Sequence, residues 1–175
     1  QLMLELGRVA AASGNGNDAL RWGAEANRAA PDSFDAASFL VDAYLAAGKQ
    51  KEAVDLALEQ GTRHRDNLYV MNRQVDVLRQ VGDRERARLI LKQMSARAQA
   101  DASWLTTIAR QHLRNNDLTD AGYVLEKAAQ IDAANTEAQI LLAEVELAKG
   151  DLDAAQTRSM QLSEALPQSD AGPRI

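Results

Sequence analysis

Gly82-Asp83-Arg84-Glu85-Arg86-Ala87 decides how this chain is read, because its first and last residues recur at a fixed interval. Gly14, Gly48, Gly82, Asn116 and Gly150 stand 34 residues apart, and Ala19, Ala53, Ala87, Ala121 and Ala155 follow each of them by five. A constant period of that length marks an array of helix–turn–helix repeats. Such arrays expose a long surface rather than an enclosed pocket, so the period constrains function as well as fold.

A glycine just past a helix end adopts the left-handed backbone conformation at little cost, and asparagine is its usual substitute. The recurrent position therefore predicts the turn between two helices of one repeat. The first helices are expected at Leu2 to Ser13, Phe34 to Ala47, Leu68 to Val81, Ala102 to Asn115 and Thr136 to Lys149. Their apolar residues keep helical spacing, as in Leu40, Val41, Tyr44 and Met71, Val75, Leu78. The second helices are expected at Asp18 to Ala29, Lys51 to Thr62, Asp83 to Ala96, Asp117 to Ile131 and Asp151 to Leu166. Asp83, Asp117 and Asp151 follow the turn residue directly, where an acid can cap the second helix. The alanine one turn inside that helix lets the two helices of a repeat approach closely.

Between repeats, Pro31 and Pro167 stop second helices, and Asp32, Asp66, Asp101 and Asn135 stand where the next first helix wants an N-cap. No linker or low-complexity run interrupts the series. The layout predicts one continuous array of repeats at about 1–33, 34–67, 68–101, 102–135 and 136–167. Residues 168–175 are a tail, expected to begin a further repeat. A stacked array leaves apolar faces at its ends unless they are capped, so weak self-association through those ends is expected.

Composition narrows the class further. Of 175 residues, 46% are hydrophobic and 26% charged, enough apolar material for a packed core. Aromatics are only 4%, which favours helices packed through small residues over a β-sandwich. A net charge of −5 repels nucleic acid and anionic membranes. No run of apolar residues is long enough for a transmembrane helix. With no cysteine, disulfides and thiolate chemistry are excluded.

These residues resemble the tetratricopeptide repeat family. The first repeat carries the family pattern at Leu6-Gly7, Gly14, Ala19, Ala26 and Pro31; the second keeps Leu40, Tyr44, Gly48 and Ala53; the fifth keeps Leu142, Gly150, Ala155 and Pro167. The family's first-helix tryptophan is missing from its slot, since Trp104 lies one position early and Trp22 falls in a second helix. Arg65, Gln99 and Ala133 replace the terminal proline in the middle repeats. The resemblance implies an all-α, right-handed superhelical solenoid of about five repeats, with a concave groove lined by first helices. A finer resemblance, in the Gly-Asp turns, the Ala-rich second helices and the ending Leu166-Pro167-Gln168-Ser169-Asp170-Ala171-Gly172, is to bacterial repeat lipoproteins linked to exopolysaccharide export and PEP-CTERM sorting. It implies a periplasmic or outer-membrane-anchored protein, held by an upstream lipidated cysteine; otherwise the cytoplasm is expected.

Mapped onto this sequence, the family's groove positions are Arg8, Asp42, Tyr69, Asn72, Asp76, Arg79, Thr106, Arg110 and Arg114. Arg79, Arg110 and Arg114 could hold a carboxylate or acidic peptide by bidentate pairing; equally, Asp42 and Asp76 could balance them on an ordinary solvated face. The carboxylate clamp of chaperone-tail receptors is not matched, with Leu4 and Arg8, then Ser38, Phe39 and Asp42, in its slots. His64-Arg65-Asp66 and Asn72 have the wrong spacing for a kinase catalytic loop. The Gly14-Asn15-Gly16-Asn17-Asp18 stretch lacks phosphate-loop and calcium-loop partners and is a generous turn. His64 and His112 lack helically spaced acidic partners for a metal, and His112 takes a first-helix slot that predicts packing. The sequence thus predicts a protein or peptide partner, with no enzyme activity, cofactor or metal. The alternative is an extended polymer, polysaccharide or RNA, gripped by the arginines of repeats three and four. Scarce aromatics and net acidity argue against RNA.

Overall fold

The structure, a computed structural model, describes residues 1–165, and all of its regular structure is helical. Ten helices follow one another: α1 (Leu2–Ala12), α2 (Gly16–Ala29), α3 (Phe34–Ala46), α4 (Gln50–Arg63), α5 (Leu68–Gln80), α6 (Arg84–Arg97), α7 (Ala102–Arg114), α8 (Leu118–Ile131), α9 (Thr136–Lys149) and α10 (Leu152–Ala165). Each lies within two residues of its expected bounds over the described range. The Leu166-Pro167 stop and the 168–175 tail lie outside the described residues. No helix among the described residues is long and apolar enough to cross a membrane.

The helices fall into two compact units, Gln1–Arg97 with three helix pairs and a second from Ala98 with two. Within the first, each helix from α1 to α6 packs on the next; within the second, α7, α8, α9 and α10 do the same.

The periodic residue makes the turn in every repeat. Gly14, Gly48, Gly82, Asn116 and Gly150 all have positive φ, between 65° and 83°. The N–H of the next residue then donates to the carbonyl five positions earlier, as Asp83 N to Leu78 O at 2.8 Å and Asp151 N to Glu146 O at 2.9 Å. That bond satisfies a carbonyl which the helix end would leave open. The recurring alanines are all buried, Ala87 and Ala121 to 1% and 0% exposure. Around them Val41, Val75, Leu78, Leu91 and Met94 fill the first unit, and Leu105, Ile108, Leu125 and Val145 the second. Each such aliphatic side chain contributes about 1.5–3 kcal/mol of transfer free energy when fully buried.

Two expected caps pass to the next residue and a third makes no side-chain bond. Ser33 and Asn67, not Asp32 and Asp66, cap α3 and α5: Ala36 N donates to Ser33 Oγ at 3.3 Å, and Tyr69 N to Asn67 Oδ1 at 3.0 Å. The helices begin at Phe34 and Leu68, so the aspartates sit one residue too early to reach the free N–H groups. Asp117 makes no capping hydrogen bond either; its carboxylate is drawn back toward α7. Asp101, Asn135, Asp83 and Asp151 do accept from the first turns of α7, α9, α6 and α10.

Candidate partner-binding surface

In the first unit the expected groove residues lie on first helices. Arg8 is exposed on α1 and ion-paired within its own helix to Glu5 at 2.9 Å. Asp42, exposed on α3, accepts a hydrogen bond from Arg73 Nη2 on α5, and the same guanidinium reaches Ser38 O at 3.4 Å. Tyr69 on α5 is 68% exposed, while Asn72, Asp76 and Arg79 are half-buried along the same helix. Arg73, which the sequence does not single out, thus joins Asp42 in linking α3 to α5.

That pair has two relatives. Arg63 Nη1 donates to Asp32 at 3.4 Å and Arg97 Nε to Asp66 at 3.0 Å, and all three pairs are 31 residues apart. The last two repeat at the 34-residue period; Arg73 and Asp42, which join two first helices, stand outside that period, so no repeat marks Arg73 in the sequence. Arg63 also donates to Glu59 at 2.7 Å; that hydrogen bond, more than Asp32, raises its guanidinium further above the ordinary arginine value. Exposed pairs of this kind contribute little stability, since solvent screens them and holding two long side chains in one geometry costs entropy.

Beside Asp42 the small residues leave space. Ala11, Gly14, Ala19, Phe39, Ala43 and Ala46 line a largely apolar hollow of about 370 Å³ where the α1–α2 turn meets α3, with Asp42 in its wall. Phe39 closes one side because its ring lies over Gly7 and Gly23; a Cβ on Gly7 would stand 2.6 Å from that ring. The first unit therefore carries an apolar recess next to an ion-paired carboxylate. Of the Gly14–Asp18 stretch, Gly14 and Asn15 make the turn the sequence suggests and the rest opens α2, with Asn15 Oδ1 accepting from Asp18 N at 3.2 Å.

In the second unit Thr106 is not available to a partner. It is 2% exposed, donates to Ala102 O at 2.7 Å and accepts from Asn135 Nδ2 at 3.1 Å. Its polarity is consumed in fixing the Asn135 cap. Arg110 is ion-paired to Glu137 on α9, and Arg114 is exposed in the last turn of α7. Of the three arginines grouped by sequence, Arg79 belongs to the first unit and the other two to the second.

His112 is packed, at 1% exposure. Its Nδ1 lies 3.6 Å from Asp117 Oδ2, which also accepts from Asn115 Nδ2 at 3.0 Å. With Asp120, one imidazole nitrogen and two carboxylate oxygens fall within 4.8 Å of one another, a donor set of the type that could hold a divalent metal. A search for helical spacing misses this group because the chain reverses at Asn116 between the histidine and its acids.

A family model described as tetratricopeptide repeat matches residues 112–172. A comparison with curated protein sequences gave no match. Among solved structures, MamA 41-end from Desulfovibrio magneticus RS-1 is 18% identical, with 97% of this chain and 96% of that one covered and a TM-score of 0.66. The putative kinesin light chain, nearly identical TPR-like repeats, of Podosopora anserina is 18% identical over 93% and 92%, at 0.68. A tetratricopeptide repeat protein from Parabacteroides merdae ATCC 43184 is 15% identical over 95% of this chain and 66% of its own, at 0.69. The chain therefore has an all-α helical-repeat fold of the tetratricopeptide type.

Proposed function

We propose that this chain is a non-enzymatic scaffold whose first helices bind a partner polypeptide. The observation that carries the reading is the recess beside Asp42, whose alanine and glycine walls leave room for one large apolar side chain of an extended peptide. The partner's neighbouring polar groups meet Asp42 and Arg73. Tyr69, Asn72, Asp76 and Arg79 on α5 extend the first unit's surface and Arg8 borders it; Arg110 and Arg114 on α7 mark a surface of the second unit by itself. A peptide that takes Arg110 competes with Glu137, so binding there exchanges one ion pair for another and adds selectivity more than affinity.

A displayed random-peptide library panned against the chain tests this directly. Enriched sequences should share a Leu, Met, Ile or aromatic anchor, and Ala46→Trp, which fills the recess from an exposed position, should weaken them at least tenfold. Peptides that bind Ala46→Trp as well as wild type, or no enrichment at all, would overturn the proposal. Its more specific form, a role in bacterial exopolysaccharide export or PEP-CTERM sorting, is supported by the Gly82-Asp83 and Gly150-Asp151 turns and the Ala-rich second helices. The gene sequence upstream of Gln1 tests it: a lipoprotein signal ending in cysteine is expected, and an uninterrupted cytosolic reading frame without one counts against it.

A further inference from the structure

Between α4 and α6 the chain departs from its own repeat at Gly61, Arg65 and Gln74. Gln74 on α5 stands where α3, α7 and α9 carry Leu40, Ile108 and Leu142, all buried. Gly61, near the end of α4, stands where the other second helices hold Asn27, Ser95, Ala129 and Ser163. Arg65, just beyond α4, takes the place of Pro31. These departures converge, for all of them line one hollow of about 350 Å³ inside the first unit, bounded by α4, α5 and α6. Where a sequence breaks its own pattern without a packing gain, a functional site is the usual reason.

Gln74 is 7% exposed, yet no hydrogen bond reaches its amide among the described residues. A buried amide without a partner costs stability that the aliphatic residue of its counterparts would not. The glycine makes room for it: the amide lies over Gly61, and a Cβ there would overlap it. Leu58, Met71 and Ile90 give the hollow apolar walls. Arg65 stands exposed beside them, its Nε donating to Thr62 O at 3.3 Å, with no acidic partner among the described residues. Arg97 on α6 also borders the hollow, but Asp66 already holds it at 3.0 Å. The site therefore joins an unpaired guanidinium, an apolar wall and an unsatisfied amide.

We propose that this hollow binds a carboxylate borne on a short aliphatic stem. The anionic group pairs with Arg65, whose planar fork matches the two oxygens of a carboxylate. The stem lies along Leu58, Met71 and Ile90, and an oxygen farther along it accepts from the Gln74 amide. That contact gives the amide the partner which the fold withholds. The volume suits an occupant of small-metabolite size. A chain of net charge −5 repels anions in bulk, so Arg65 rather than the overall field supplies the attraction. A free dicarboxylate and the side chain of an acidic residue share this chemistry. No lining residue belongs to the recess beside Asp42, so the two sites stand or fall separately.

Proton–nitrogen NMR spectra of the 175-residue chain read it out, through the Gln74 side-chain amide and Arg65 Nε–H. Glutarate and acetyl-glutamate-amide are titrated separately at constant ionic strength, and both signals should shift saturably. A response to glutarate alone identifies a free acid as the occupant; a response to the blocked residue identifies a polypeptide side chain. Glutaramide, the uncharged diamide, should bind about tenfold more weakly than glutarate, and Arg65→Gln should weaken glutarate by about the same factor. Gln74→Leu, which restores the aliphatic residue of the other first helices, should melt at a higher temperature and yet lose affinity about tenfold. No saturable shift from either carboxylate, equal affinity for the diamide, or wild-type affinity in either variant overturns the proposal. Should Gln74→Leu lose its helix signal by circular dichroism, Arg65→Gln and the diamide carry the test.

Discussion

The Gly82-Asp83 turn between α5 and α6 and the Asn116-Asp117 turn between α7 and α8 start alike and finish differently. Both turn residues take positive φ, 83° and 65°, and both aspartate N–H groups close the helix end onto the carbonyl five residues earlier. There the likeness ends. Asp83 caps α6 through Arg86 N at 3.1 Å and holds the Arg86 side chain at 2.5 Å. Asp117 leaves its helix uncapped and turns to Asn115 and His112. Three residues near the acid separate the cases: Asp120 takes the place of Arg86, His112 that of buried Leu78, and Asn115, which donates to Asp117, that of Val81. The left-handed residue builds the turn, and the acid beside it goes wherever the nearest donor stands.

Overfilling the crossing that both turns share should give the largest effect. Ala87→Leu and Ala121→Leu each insert three carbons where essentially no surface is exposed, so each should cost about 1–3 kcal/mol by urea denaturation. Equal losses would show that the two turns lead into equivalent helix crossings. A loss below half a kilocalorie at either position would mean that the pair there opens to accept the side chain.

Next in size is the turn residue itself. Nothing lies within 4 Å of a Cβ built on Gly82, so Gly82→Ala isolates the backbone cost of holding an L-residue at φ 83°, about 1–2 kcal/mol. Gly82→Asn should recover much of it, since Asn116 tolerates the same conformation one repeat later. If Gly82→Ala and Gly82→Asn were equally stable, the left-handed residue would not be what sets the turn.

The two aspartates should then part company. Asp83→Ala removes a cap and should cost about 0.5–2 kcal/mol; Asp117→Ala removes no side-chain cap and acts on its contacts with Asn115 and His112 instead. The Asp83 carboxyl is held below the ordinary carboxylate range, first by the Arg86 backbone N–H and then by the Arg86 side chain. Its contribution is therefore complete above the unfolded-state value and is lost as pH falls through the lower, folded one. Thermal melts of wild type minus Asp83→Ala should show a difference at neutral pH that shrinks on acidification. A difference that grows in acid would contradict the assignment.

These contrasts also explain what was legible in the sequence. Helix bounds were, because each turn needs a residue that tolerates positive φ and few residues do. Cap identity was not: Asp32-Ser33 and Asp66-Asn67 each offer two cap-capable residues in a row, and only the first helical residue decides between them. At the candidate surface Asp42 could be placed on a first helix, but its partner Arg73 could not, because their 31-residue separation arises from packing between repeats. Thr106 reads as a surface hydroxyl until the Ala102 carbonyl and the Asn135 amide are seen to satisfy it in the core.

The smallest change should be the most informative about the second turn. Asp120→Arg restores at that position the residue type that holds Asp83. It removes one of two carboxylates three residues apart on the same helix and offers Asp117 a cationic partner there. Relief of like charge and gain of an opposite pair are each worth about 0.2–0.5 kcal/mol on a helix surface, so a rise in Tm of a few degrees at most is expected. The sharper readout is the His112 ring resonance. If Asp117 swings to its helix N-terminus as Asp83 does, the imidazole loses the acid beside Nδ1 and its shift moves. A stabilised variant with an unmoved His112 signal would show that Asn115 and His112, not the missing arginine, hold Asp117 in place, and that the difference between the two turns begins ahead of the turn, in the last residues before Asn116.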